Sequence, residues 1–251
     1  MKNIWEEEPV VCFTSDIDWA SEDMIKKTFQ LLGLKSLKIT IFNTHLSSEL
    51  KTKLINKEID MLIHPNFLPN SSHGNSFEEI IENCLKFCPD AKGFRSHRYF
   101  EVNDIFEIFN RYGFKYFSNF CTRCENYLKP NLHRSGLLSI PIFFEDGGFL
   151  LMDPTLNFNN FLENFSKPGL KVINFHPAHI CFNTPDFQYT RKIKDSVSRK
   201  EWNNLSTKNL KRIEYGKFGI RNFIENMIEY TQKKNMKLVS IEEIFKIWSS
   251  R

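Results

Sequence analysis

The sequence predicts an α/β fold: one domain of parallel strands alternating with helices, closed toward a barrel. Three observations predict it. Short apolar runs alternate with stretches of helical period along most of the 251 residues. Polar residues able to do chemistry stand just after those runs. No internal repeat, low-complexity tract or linker breaks the pattern, so a single domain spans residues 1–251, a length one barrel can occupy.

Each element follows from its local pattern. The run VVCF predicts a strand over 9–15, followed by a helix over 20–32. Alternating Leu37, Ile39 and Ile41 predict a strand over 36–44, and a short helix follows over 47–56. EIDMLIHP predicts a strand over 58–65 that ends at His64. Ser76 with Glu79 three residues on reads as a capping box, which starts a helix over 77–88. AKGFRSH is a short strand or turn, and VNDIFEIFNRYG is a helix over 102–113 stopped by Gly113. Strands are then expected at FKYFSNF, over 137–146 and over 170–180, with a helix over 218–234 and a closing strand and helix in KLVSIEEIFKIW.

Composition narrows the function. Hydrophobic residues at 41% and charged residues at 25% describe an ordinary globular chain. A net charge of +4 is too small to argue for nucleic acid. No apolar run approaches the roughly 18 residues that cross a bilayer. The opening MKNIWEEEP is acidic and has no apolar leader core, so a cytoplasmic location is expected. The six cysteines then read as free thiols, although Cys121-Thr-Arg-Cys124 has the spacing of half a zinc site. Positive charge gathers over 188–217: from Thr190 to Lys217 nine Lys/Arg face three acids. That stretch is either a solvated face or an arm that meets a phosphate.

Asp16 and Asp18 follow the first strand one residue apart. A strand that continued through them would aim both carboxylates at one face, where like charges repel and burial raises their pKa. A solvated helix-capping turn would explain the pair alone. It does not explain His64, Arg95, His97, Glu145, Asp146 and His176, which also stand at strand ends. In barrel-like α/β folds those ends converge on one face. Asp and His together suit Zn²⁺ or another divalent ion, which would relieve the repulsion and lower the pKa of water. One Asp would hold the ion and the other would take a proton. An Arg would keep that base charged, and a His would protonate a leaving group.

The order TSDID, IHPNFLPNSSHG, GFRSHRYF, FFED and INFHPAHI resembles the polysaccharide deacetylase family (NodB-homology domain, carbohydrate esterase family 4). The resemblance covers roughly residues 9–182, with a family-like end at KLVSIEEIF, and points to the WbmS-like branch tied to O-antigen and other surface glycans. It implies a NodB-like distorted (β/α) barrel of about seven strands, and removal of acyl groups from sugars with a divalent metal, commonly zinc. Asp16 resembles the catalytic base and Asp18 the metal-binding Asp, here separated by Ile17. His64 resembles the first metal His, Arg95 the residue that orients the base, His176 the general acid and Asp146 its orienting partner. Leu68 stands where the family places its second metal His. His73 is the expected third ligand, with His97 the alternative. The FFED motif lacks the family's usual Trp, so the acyl pocket differs.

The expected function is therefore metal-dependent removal of an N-acetyl or similar group from an amino sugar, or from a nucleotide- or lipid-linked glycan precursor. The alternatives are a barrel that binds glycan or a partner without turnover, and a hydrolase of a non-sugar amide. His45 and His133 are expected to do no chemistry, and His179 to support the loop after His176. Phe67, Phe94, Tyr99 and Phe100 either stack on a sugar or fill the core.

Overall fold

The computed structural model describes residues 4–34 and 37–250. The first three residues of MKNIWEEEP, the predicted strand start at Ser36 and the terminal Arg251 lie outside them. The chain runs α1 (Ile4–Glu7), β1 (Pro9–Asp16), α2 (Glu22–Leu31), β2 (Ile39–Asn43), α3 (Ser48–Ile55), β3 (Asp60–Ile63), α4 (Phe77–Leu85), β4 (Gly93–Phe94), α5 (Asn103–Arg111) and β5 (Tyr116–Phe117). It continues through β6 (Asn131–Leu132), β7 (Leu138–Ser139), β8 (Phe144–Glu145), α6 (Asp146–Met152), α7 (Phe158–Phe165), β9 (Gly169–Phe175) and α8 (Pro177–Phe182). It closes with α9 (Phe187–Ser196), α10 (Arg199–Trp202), α11 (Thr207–Arg212), α12 (Ile220–Lys233), β10 (Lys237–Leu238) and α13 (Ile241–Ser249).

The strands lie in the order β6-β7-β5-β4-β3-β2-β1-β9-β8, with β10 beside the start of β1. Every pairing is parallel except β6 with β7. β7 and β8 are two ends of one extended stretch, residues 138–145. Ile140 N–H donates to Phe117 O at 2.8 Å and Ile142 N–H to Phe120 O at 2.7 Å, and Phe143 N–H then donates to Val172 O at 2.9 Å. That stretch joins β5 to β9, so the two ends of the sheet meet in a distorted barrel. The sheet has ten short strands, and the ring itself is β1 to β5, the 138–145 stretch and β9, the seven staves expected. Pro141, which has no N–H, divides what the sequence presented as one strand.

β1, β2 and β9 are buried almost throughout, as parallel strands with both faces covered must be. Odd positions of β1, Val11 and Phe13, pack with Met24 and Ile25 of α2. Even positions share the other face, apolar at Val10 and Cys12 and polar at Thr14 and Asp16 toward the C-terminal end. Serines start the outer helices: the hydroxyls of Ser21, Ser47 and Ser76 accept from Met24, Leu50 and Glu79 N–H. The carboxylate of Glu79 reaches Asn75 N–H at 2.8 Å instead of Ser76, so only half of the expected capping box forms.

Several elements differ from expectation. β9 stops at Phe175, not residue 180, because Pro177 begins α8 with His176 as its N-cap. The basic stretch is neither loose nor a simple face: it folds into α9, α10 and α11, anchored by buried Trp202, Leu205 and Leu210. Phe94 and Phe67 are core, with Phe94 stacked on Phe109 at 3.5 Å. All six cysteines are free thiols. Among the described residues no cysteine joins a group with metal-ligand spacing, and His133 bonds Ser135 Oγ instead.

Candidate active site

The C-terminal ends of β1, β3, β4, β8 and β9 bring the sequence-predicted residues together. Asp16 is the last residue of β1 and is 2% exposed. Arg95 Nη1 donates to its Oδ1 at 2.8 Å and Asn174 Nδ2 to its Oδ2 at 2.9 Å. Burial pushes this carboxyl up, but the Arg95 guanidinium, with His64 and His176, outweighs burial and holds it below the usual range. Arg95 is itself completely buried. Its Nε and Nη2 donate to Ser118 O and Oγ at 2.8 and 2.9 Å, and its Nη1 also reaches Thr14 Oγ1 and Asn174 Oδ1. Fixed on every side, it cannot swing away from Asp16.

Asp18 does not continue the strand. It and Trp19 take left-handed backbone conformations, with φ of 45° and 55°. Such strain in non-glycine residues persists only where surrounding contacts hold it. The turn separates the two carboxylates and sets Asp18 Oδ1 3.2 Å from His64 Nε2 and 3.0 Å from His97 Nδ1. Burial raises the Asp18 pKa, yet the hydrogen bonds from His64 and His97 hold it well below the usual carboxylate range. His64 Nδ1 lies 2.6 Å from Arg95 O, a carbonyl that can only accept. Nδ1 therefore carries a proton, and Nε2, the atom left for a ligand, faces Asp18. Asp18, His64 and His97 form a set whose ligand atoms lie within 4.8 Å of one another.

His73 stands outside this set. Its Nε2 donates to Thr44 O at 2.7 Å, its Nδ1 accepts from Asn66 N–H at 3.1 Å, and burial lowers its pKa to about 4. Both ring nitrogens are occupied by protein. The register that pairs Ile63 with Phe94 places the ends of β3 and β4 side by side, so His97 meets His64.

Across the cleft, His176 Nε2 lies 3.8 Å from Asp18 Oδ2 and 4.0 Å from Asp16 Oδ2. Asp146 grips the other side of the ring, 2.6 Å from Nδ1, and accepts from the His176 backbone N–H at 2.7 Å. Burial opposes the imidazolium, but Asp146, Asp18 and Glu145 lift its pKa to about 10. Asp146 stays ionised: burial pushes it up, and His176 and His179 bring it below the ordinary value. Beside it Glu145 is raised to about 7, by burial and then by the Asp146 charge. His179 bonds Thr184 Oγ1 at 3.1 Å, just past the end of α8, and not the loop around His176.

Asn174 was missed in the sequence. It stands on β9 two residues before His176, whose backbone is still extended although it caps α8, so both project to one face, the spacing that drew attention to Asp16 and Asp18. Glu145 and Trp19 were likewise not singled out for a role, yet Glu145 borders the cleft and the Trp19 ring stands edge-on to His97 at 5.2 Å.

One mouth of the distorted α/β barrel thus gathers a buried Asp–Arg pair, an Asp–His–His set and a His held by an Asp. The family model of WbmS-like polysaccharide deacetylases matches residues 13–194, and the chain belongs to that family. It is accordingly a deacetylase acting on glycan. A solved WbmS from Bordetella bronchiseptica, assigned as a polysaccharide deacetylase involved in O-antigen biosynthesis, is 25% identical with a TM-score of 0.75, over 88% of this chain and 90% of that one. A 4-α-glucanotransferase from Thermococcus litoralis shares the fold alone, with 9% identity, a TM-score of 0.53, and coverage of 95% of this chain and 38% of that one. Comparison with curated proteins finds no match. No helix among the described residues is long and apolar enough to cross a membrane.

Proposed function

We propose that the chain is a divalent-metal-dependent hydrolase that removes an N-acetyl or similar acyl group from an amino-sugar intermediate of cell-surface glycan synthesis, such as O-antigen. The observation that carries this reading is the opposition of two held groups across one donor set. Asp16, kept anionic by Arg95 and Asn174, faces His176, kept protonated by Asp146, with Asp18, His64 and His97 beside them.

The residues fit a metal. His64 presents a lone pair fixed by its Nδ1–H bond, and a carboxylate and a second imidazole converge on it, the N/O donor chemistry that suits zinc. Asp18, His64 and His97 would hold the ion. When bound it supplies Lewis acidity to the acyl carbonyl and acidifies the attacking water. Asp16 takes that water's proton: its carboxylate is ionised at neutral pH and cannot rotate away from its two donors. His176 gives its Nε2 proton to the departing nitrogen or oxygen, and Asp146 holds the ring in the tautomer and orientation this needs.

Elemental analysis tests the reading. Protein supplied with zinc should carry one ion per chain. That ion should be lost in Asp18→Ala, His64→Ala and His97→Ala, and kept in His73→Ala. No ion in the unsubstituted protein sinks the proposal.

A further inference from the structure

We infer that the cleft accepts a diphosphate, so that the acylated sugar reaches the site attached to a pyrophosphate lying along the wall built by α9 and α10. This rests on the hydrolase reading for the position of the sugar, and adds the group attached to it.

Two cavities flank Asp18. One, of 260 Å³, opens on the His176 side and is bordered by Arg98, Arg191 and Lys194. The other, of 280 Å³, opens on the His97 side and is bordered by Lys194 and Arg199. Lys194 borders both, and so links the cations of one cavity to that of the other. All four are exposed. Among the described residues only Arg191 has a carboxylate partner, Asp195 at 3.5 Å. Arg199 donates to Ser72 Oγ at 3.2 Å and lies over the Trp19 ring, and Lys194 lies over Trp202. Both are positioned by aromatic rings while their charge stays free. The acids of the two cavities, Asp18 and Glu145, belong to the floor.

Arg98, Lys194 and Arg199 have no carboxylate partner among the described residues, and a bound anion would supply the missing counter-charge. The number and spread of charges choose the anion. A sugar carboxylate carries one charge and is satisfied by one guanidinium fork. A diphosphate ester carries about two charges over two phosphoryl groups, and so matches Lys194 between Arg98 on one side and Arg199 on the other. The remaining basic residues of the insertion, Lys208 and Lys211 among them, border neither cavity. The basic composition of the whole stretch is thus not the signal; the subset facing Asp18 is.

Calorimetric titration of the full, zinc-supplied chain tests this, with inorganic pyrophosphate, uridine diphosphate and geranyl diphosphate as probes. Pyrophosphate should bind, more weakly at high salt. Lys194→Gln/Arg199→Gln should weaken it roughly tenfold, whereas Lys208→Gln/Lys211→Gln should leave it close to unsubstituted protein. Tighter uridine diphosphate assigns a nucleotide carrier, and tighter geranyl diphosphate a lipid carrier. No pyrophosphate binding, or equal binding by both double variants, overturns the inference; the latter result would mean that the metal alone, or the general field, holds the anion. Metal content of the same samples separates the two readings. Zinc retained without diphosphate binding removes only this inference, and diphosphate bound by a chain that takes up no zinc removes only the hydrolase reading.

Discussion

Asp16 can accept a proton only if it stays ionised while buried, and the residues around it arrange that. Arg95 supplies the charge, Asn174 the second hydrogen bond, and Ser118 and Thr14 lock Arg95 in place. Asp16→Asn keeps the shape of the side chain and removes its basicity. We expect it to lower kcat for acetate release by about 10²–10⁴-fold with zinc content unchanged, measured by acetate release and elemental analysis on one sample. Equal losses of zinc and activity would mean that Asp16 is a ligand instead. Asp146 makes a pH prediction. Its folded pKa is depressed, so the stability it adds is complete above the unfolded value of about 3.9 and is lost as pH falls through the lower folded value. Asp146→Asn should therefore lower the urea midpoint at pH 7, and the gap from unsubstituted protein should close as pH falls toward about 3. A gap independent of pH would show that the substitution acts through packing and not charge.

At the scale of elements, the sheet decides which side chains meet. β4 is only two residues long, yet it delivers Arg95 and His97 to the site. Gly93 makes that strand possible: a Cβ there would stand 2.1 Å from the Tyr116 ring on neighbouring β5. Gly93→Ala should cost about 1–3 kcal/mol in urea unfolding and lower activity as well, since any shift of β4 moves Arg95; a silent substitution would show that Tyr116 can yield. The long periodic elements around this strand were legible in the sequence. β1, β2, β3 and α12 lie where their hydrophobic periods put them, because burial on fixed faces is what those periods record. α6 and α7 were not legible. Gly147 and Gly148 disfavour a helix, and α6 forms because the Glu145 side chain accepts their two N–H groups. The cast of the site was readable from residue types at strand ends, but the sequence alone left His73 and His97 both open as the histidine that stands with Asp18 and His64. His73 is nearer His64 along the chain, and only the lateral pairing of β3 with β4 brings His97 beside it. Sequence distance carries no information about neighbours across a parallel sheet.

At the scale of the whole molecule, the donor set joins the beginning of the barrel to its middle: Asp18 follows β1, His64 follows β3 and His97 follows β4. These residues come together only in the folded chain, so an ion bound there favours the native state by mass action. At free zinc a hundredfold above its dissociation constant the gain is about 2.7 kcal/mol, roughly 5–11 °C in Tm for a chain of this size. Zinc added to chelator-treated protein should raise Tm by that amount, and chelator should reverse it. His97→Ala should abolish the shift, whereas His73→Ala should lower the starting Tm, because Thr44 O and Asn66 N–H lose a buried partner, yet keep the full response to zinc. The difference between those two variants separates a ligand from a structural histidine without requiring the substrate. A response lost in His73→Ala and kept in His97→Ala would reverse the assignment, and an unsubstituted chain whose Tm ignores zinc altogether would leave the Asp18–His64–His97 set as a hydrogen-bonded cluster with no ion to hold.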